Sequence, residues 1–162
     1  MIQIISQEII DKTKSEALNS PRKRAMYKFH EPHERMQRMI NVLCEGTYIQ
    51  PHEHSLPPKT EQFIVLEGEV ACITFFSDGT PQEIFVLKAG GKNYGVMIIP
   101  GTIHTLVCLS QTATVSETID GVFEPSTHKQ FADFAEDEKS THANEYLQSL
   151  IKLINKDNLS HD

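Results

Sequence analysis

Gly46-Thr47-Tyr48-Ile49-Gln50-Pro51-His52-Glu53-His54-Ser55-Leu56-Pro57-Pro58-Lys59-Thr60-Glu61-Gln62-Phe63-Ile64-Val65-Leu66-Glu67-Gly68 is the stretch on which the reading turns. His52 and His54 stand two apart in a strand-like segment. Alternation therefore puts both imidazoles on one face, with Cα atoms about 6.5–7 Å apart, so that two ring nitrogens can meet at one ion. Glu61 opens the next apolar strand after a connection able to fold that strand back beside the first. Gln62 is the alternative ligand there, but adjacent strand side chains face opposite ways. Its charge favours Glu61. A later histidine, His104, follows Pro100-Gly101-Thr102-Ile103, where proline and glycine turn the chain into another strand. Three imidazoles and one carboxylate make a mixed nitrogen and oxygen set suited to one divalent ion, Zn, Mn, Fe, Ni or Co, and a six-coordinate ion keeps two positions open.

Outward from this stretch, residues 36 to 125 alternate short strand-forming runs with turn signals about every ten residues. The runs are Met36–Leu43, Tyr48–His54, Gln62–Leu66, Val70–Phe76, Gln82–Leu87, Tyr94–Ile99, His104–Leu109 and Thr112–Ile119. Eight such runs predict an all-β sandwich or barrel. Ser77-Asp78-Gly79-Thr80 is the clearest hairpin turn. Before the strands, Ser6 caps a short helix carrying Ile9, Ile10, Thr13, Ala17 and Leu18, which ends at Asn19-Ser20-Pro21. After them, Ala143, Leu147, Leu150, Ile151 and Ile154 form the apolar stripe of a longer helix, with Asn155 to Asp162 read as a frayed polar end. The expected organisation is 1–35, an N-terminal helix and basic segment, then the barrel 36–125, then a helical extension 126–162.

Composition narrows the function. With 162 residues, 39% apolar and 23% charged, the chain suits one globular domain. Its apolar runs are too short for a membrane span. Fifteen Lys and Arg against twenty-two Asp and Glu leave a net charge of −7, which disfavours nucleic acid and anionic membranes as partners. The N-terminus shows no export pattern, so a cytoplasmic location is expected. Cys44, Cys72 and Cys108 lie in apolar strands and read as buried reduced thiols.

The spacing Gly46-x5-His52-x-His54-x6-Glu61-x6-Gly68 resembles the first cupin motif, and Pro100-Gly101-x2-His104 resembles the core of the second. The order Ser20-Pro21-Arg22-Lys23-Arg24, Phe29-His30, Gln37-Arg38-Met39, Tyr48-x-x-Pro51-His52 and Phe131-Ala132-x-Phe134-Ala135-x-Asp137-Glu138 is similar to WbuC-type cupins found among polysaccharide-biosynthesis genes. This resemblance implies a cupin (RmlC-like) double-stranded β-helix, or jelly-roll barrel, with a short N-terminal and a longer C-terminal helix. It also implies an internal divalent metal and a homodimer, for which Ile64 and Leu66 offer outward apolar surface. No reaction comes with it.

Several residues carry two readings. Arg22, Lys23, Arg24 and Lys28 form either a solvated basic stretch or a cover over the barrel mouth whose guanidinium forks meet a carboxylate or phosphate. His30 and His33 would then lie at the rim. Arg38 faces either an anionic ligand or solvent. Tyr48, on the parity of His52, is either packed or a substrate-orienting acid, and Glu117 is either an inward general base or a polar strand end. His128, His142 and His161 read as surface histidines. The functions in contention are a metal-dependent isomerase or epimerase on a small polar, sugar-like or anionic substrate, an iron-dependent dioxygenase of a small organic acid, and a non-catalytic binding module for a small-molecule ligand.

Overall fold

The computed structural model describes residues 2–160, with backbone alone at 158–160. Among these residues ten strands form two five-stranded antiparallel sheets. The first sheet runs β1 (Arg24–Lys28), β2 (Met36–Cys44), β9 (Thr112–Asp120), β4 (Glu61–Glu67), β7 (Gly95–Ile98). The second runs β10 (Gln130–Phe131), β3 (His52–Glu53), β8 (Ile103–Cys108), β5 (Glu69–Phe75), β6 (Pro81–Lys88). Sequence neighbours repeatedly fall in opposite sheets, as β3 and β4 do. The connection 54–60 therefore carries the chain across the sandwich and does not fold β4 back beside β3, as the sequence reading allowed.

Alternation builds the core. Leu43, Phe63, Val65 and Val115 of the first sheet interdigitate with Val70, Cys72, Leu87 and Leu106 of the second. The opposite parity of β2, Ile40 and Val42, turns outward and is covered by α1 (Gln7–Asn19) through Ile10 and Ala17. The Ser6 hydroxyl accepts the Ile9 N–H as cap. Leu18, placed in the helical stripe by spacing, instead points to solvent. On the other side α2 (Ala143–Ser160) lays Ala143, Leu147, Leu150 and Ile154 on Ala71, Ile73 and Val107. Each fully buried aliphatic side chain contributes about 1.5–3 kcal/mol, so both helices are held by their apolar stripes. α2 continues through Asn155 to Ser160, so the segment read as frayed is helical that far; His161 lies outside the described residues.

The strands agree closely with the predicted runs, with three differences. Arg24–Lys28 is an edge strand pairing with β2, and β10 is a two-residue strand pairing with β3. Residues 48–51, read as part of a strand, are irregular, and only His52–Glu53 pairs there. Gly68, which closes the opening stretch, has φ +74°, and a Cβ there would stand 2.4 Å from the Thr112 carbonyl oxygen, so only glycine lets β4 turn into β5 at this point. The 77–80 hairpin forms as expected, with Asp78 accepting the Thr80 N–H. All three cysteines are free and buried.

Candidate metal centre

His52 and His104 are direct cross-strand partners on β3 and β8, their rings 4.7 Å apart. His54 follows His52 on the same face, and Glu61 reaches in from β4 of the facing sheet. One ligand atom from each of the four lies within 4.8 Å of the others, and all four side chains are buried. The ring orientations are set by the backbone: His52 Nδ1 donates to the Gln50 carbonyl (2.8 Å), His54 Nδ1 to the His128 carbonyl (2.5 Å) and His104 Nδ1 to the Thr102 carbonyl (2.9 Å). A carbonyl can only accept, so each Nδ1 carries a proton and each Nε2 faces the cluster, where it can bind an ion once it carries no proton of its own.

The residues fit a divalent ion. His104 Nε2 lies 2.8 Å from Glu61 Oε2, while His54 Nε2 is 3.3 Å from the same oxygen and has no hydrogen-bond partner, an orphan that a metal bond would satisfy. Burial pushes the His52 imidazole well below its ordinary pKa and keeps it a neutral donor. Burial would raise the Glu61 carboxyl, but the His104 hydrogen bond and the approach of His54 outweigh it and hold Glu61 well below the usual carboxylate range. None of the three cysteines joins the cluster, unlike the Cys-rich sets of structural zinc.

The cluster opens into a cavity of about 440 Å3 between the two sheets. Glu117 lines it. Its parity follows from Val115 and Ile119, buried inward neighbours on β9, and the register sets Glu117 opposite Phe63, one diagonal step from Glu61. Burial, then the Glu61 charge, push its carboxyl up to about 8, and Asn41 donates to it. The period-two signal around Glu117 was present in the sequence, although its polar neighbours Ser116 and Thr118 masked it.

Arg22, Arg24 and His30 also line the cavity. Arg24 is already engaged, at 2.7 Å from both Glu138 carboxylate oxygens and 2.6 Å from the Tyr48 carbonyl, and Arg22 reaches the same Glu138 at 2.9 Å. His30 Nδ1 accepts the Arg38 N–H, and His33 is exposed on the surface. Two site readings are corrected. Arg38 is exposed and pairs with Glu34, because Gln37, Met39 and Asn41 take the inward parity of β2. Tyr48 is buried outside the cavity, its hydroxyl donating to the Glu136 carbonyl and its ring packing on Tyr146. The irregular backbone at 48–51 breaks the parity with His52, and Ile49 lines the cavity instead.

The segment after β9 supplies residues that the sequence did not single out for the site. His128, read as a surface residue, packs its ring against His54 and Phe123, and burial, with Lys129 nearby, pushes its pKa down to about 4. Lys129 lines the cavity. No periodicity marks an irregular loop, so only its path reveals these side chains. His142 is exposed beside Glu145, as expected.

A family model described as "Domain of unknown function (DUF6016)" matches residues 5–87, just over half of the chain. No curated protein matches the sequence. Among solved structures, the capsular polysaccharide assembling protein CapF from Staphylococcus aureus is similar, with 22% identity and a TM-score of 0.54 over 66% of this chain and 29% of that one. An oxalate oxidase in complex with the substrate analogue glycolate is similar at 16% identity and TM-score 0.53, over 70% of this chain and 57% of that one. A conserved protein with a double-stranded β-helix domain from Klebsiella pneumoniae is similar at 14% identity and TM-score 0.59, over 82% of this chain and 99% of that one. The chain thus spans less than a third of the CapF structure. At these identities the likeness shows the fold, a cupin jelly roll. No helix among the described residues is long and apolar enough to cross a membrane.

Proposed function

Because this chain belongs to the DUF6016 family, whose description assigns no activity, we propose from the site itself that it is a metal-dependent cupin enzyme, an isomerase or epimerase moving a proton at carbon on a small polar, sugar-like or anionic substrate. The observation that carries the reading is the place of Glu117, a carboxyl on the cavity wall one diagonal step from Glu61, where burial pushes its pKa up to about 8. A divalent ion held by His52, His54, Glu61 and His104 would polarise a substrate carbonyl or hydroxyl and acidify the adjoining C–H bond. Glu117 takes that proton on a carboxylate oxygen and returns it to carbon. Asn41 holds the Glu117 carboxylate through its amide N–H. Met39, Phe63 and Leu106 line the cavity with apolar surface and limit proton loss to water.

Arg22, Arg24 and His30 line the same cavity, and although Glu138 pairs both guanidinium groups, this basic wall supports an acidic group on the substrate. The residue order shared with WbuC-type cupins supports a sugar-derived substrate and a place in polysaccharide biosynthesis. A cytoplasmic homodimer, with residues 36–125 as barrel and the flanking segments as its cover, belongs to the same reading; Ile64 remains exposed, whereas Leu66 packs against the α1 cluster.

The test is metal analysis of protein purified without added ions, followed by NMR of sugar acids and keto acids in deuterated buffer. One metal per chain and exchange at a substrate carbon are expected, with Glu117→Gln losing exchange but keeping metal. Oxygen uptake with iron would replace this reading with the dioxygenase, and binding without turnover would replace it with the binding module.

A further inference from the structure

Lys129 sits beside the candidate metal centre with its ammonium uncommitted. The chain on both sides of it is tied to the ligand-bearing segment: the His128 carbonyl accepts His54 Nδ1–H, the Gln130 side-chain oxygen accepts the Ser55 and Leu56 N–H groups (2.8 and 3.2 Å), and Phe131 is in register with His52. Its position is therefore fixed relative to the ligands by hydrogen bonds, not by a free loop.

The other cavity cations are occupied. Arg24 and Arg22 are paired with Glu138, and the Lys28 ammonium lies over the Phe123 ring at 5.4 Å. Among the described residues no hydrogen bond or ion pair reaches Lys129 Nζ, and the three carboxyls it senses, Glu61, Glu117 and the arginine-paired Glu138, act on it only through space. Glu61 belongs to the ligand set. An ammonium beside a divalent ion leaves surplus positive charge in a partly enclosed space even when Glu61 and Glu117 are both ionised, which is costly until an anion enters. The neighbouring His128 Nδ1 is also buried without a partner and offers that anion a neutral hydrogen-bonding group.

We propose that Lys129 is the anchor for a carboxylate on the substrate, which makes the substrate class a small oxy-acid: its hydroxyl or carbonyl oxygen goes to the His52, His54, Glu61, His104 centre and its carboxylate to Lys129. This deepens the function proposed above and rests on it.

Cobalt(II)-loaded protein, titrated with lactate and separately with imidazole while the visible spectrum of the metal is followed, tests the assignment. Lys129→Met is expected to weaken lactate about tenfold or more, the scale of one charge-assisted hydrogen bond. Imidazole, a neutral ligand of the same ion, should change less than about twofold, and Lys129→Arg should keep most of the lactate affinity. Equal losses for lactate and imidazole, no loss for either, or a wild type that binds imidazole but no lactate at millimolar concentration would overturn the anchor while leaving the metal centre standing. Failure of the wild type to take up cobalt would instead overturn the metal-dependent reading, and the anchor with it.

Discussion

His54 donates its Nδ1 hydrogen to the carbonyl oxygen of His128, 74 residues further along the chain. This single bond fixes the tautomer of a candidate ligand and at the same time ties the segment following β9 to the mouth of the barrel. Gln130 extends the tie by accepting from Ser55 and Leu56. Ligand orientation and cavity closure are thus one structural unit.

Gln130→Ala should therefore reach the metal without touching it. Loss of the Ser55 and Leu56 bonds frees the segment that carries His54, and metal affinity should fall about 10- to 100-fold, the range for groups that orient ligands. Competition with a chromophoric chelator measures it. Unchanged affinity would mean that His54 needs no such support.

Metal affinity should also depend on pH with a definite sign. Each imidazole must offer an unprotonated nitrogen, so protons compete with the metal and affinity should fall as pH is lowered. His52→Ala with His104→Ala should leave less than about a tenth of the wild-type metal by elemental analysis. Full occupancy in that variant would relocate the site.

Glu138 ties β1 to the segment after β10 through Arg24, both side chains being less than a quarter exposed. Burial would raise its pKa, but the Arg24 guanidinium outweighs this and holds it below the usual carboxylate range. A carboxyl with a depressed folded-state pKa stabilises the protein above its unfolded value of about 4.3 and loses that contribution as pH falls through the lower folded value. Glu138→Gln should cost about 1–3 kcal/mol in urea unfolding at neutral pH, and the gap to wild type should close in acid. A gap independent of pH down to 3 would contradict this.

Leu147 and Leu18 separate helical spacing from actual burial. Leu147 is 2% exposed beneath α2 and Leu18 is 61% exposed on α1. Leu147→Ala should cost about 2–5 kcal/mol, while Leu18→Ala should stay within about 0.5 kcal/mol. Thermal or urea denaturation of the two variants decides it.

Tyr48→Phe should separate packing from chemistry. Its hydroxyl serves the Glu136 carbonyl at 2.6 Å, away from the cavity. A stability loss of about 1 kcal/mol is expected, with metal content and any turnover unchanged. A large loss of turnover at full metal occupancy would restore Tyr48 to the site.

Local pattern carried far where the backbone is regular. The two-residue period placed His52 and His54 on one face and allowed only one of Glu61 and Gln62 as a ligand, of which charge chose Glu61, and the same period held the signal for Glu117 between Val115 and Ile119. It failed where regularity stops. At 48–51 the parity argument for Tyr48 had no strand to act on, and at Arg38 it lacked a reference for which face of β2 is inside.

Alternation, helical stripes and turn residues are properties of near neighbours, and they determined from the sequence alone an all-β sandwich, its two covering helices and a histidine pair able to share an ion. Only the tertiary structure decided that Glu61 arrives from the opposite sheet, that Arg38 faces solvent and Arg24 is spent on Glu138, and that His128 and Lys129 enter the cavity. Those outcomes depend on the paths of irregular connections. Such paths are set by packing and hydrogen bonds between residues as far apart as His54 and His128, and no local period encodes them.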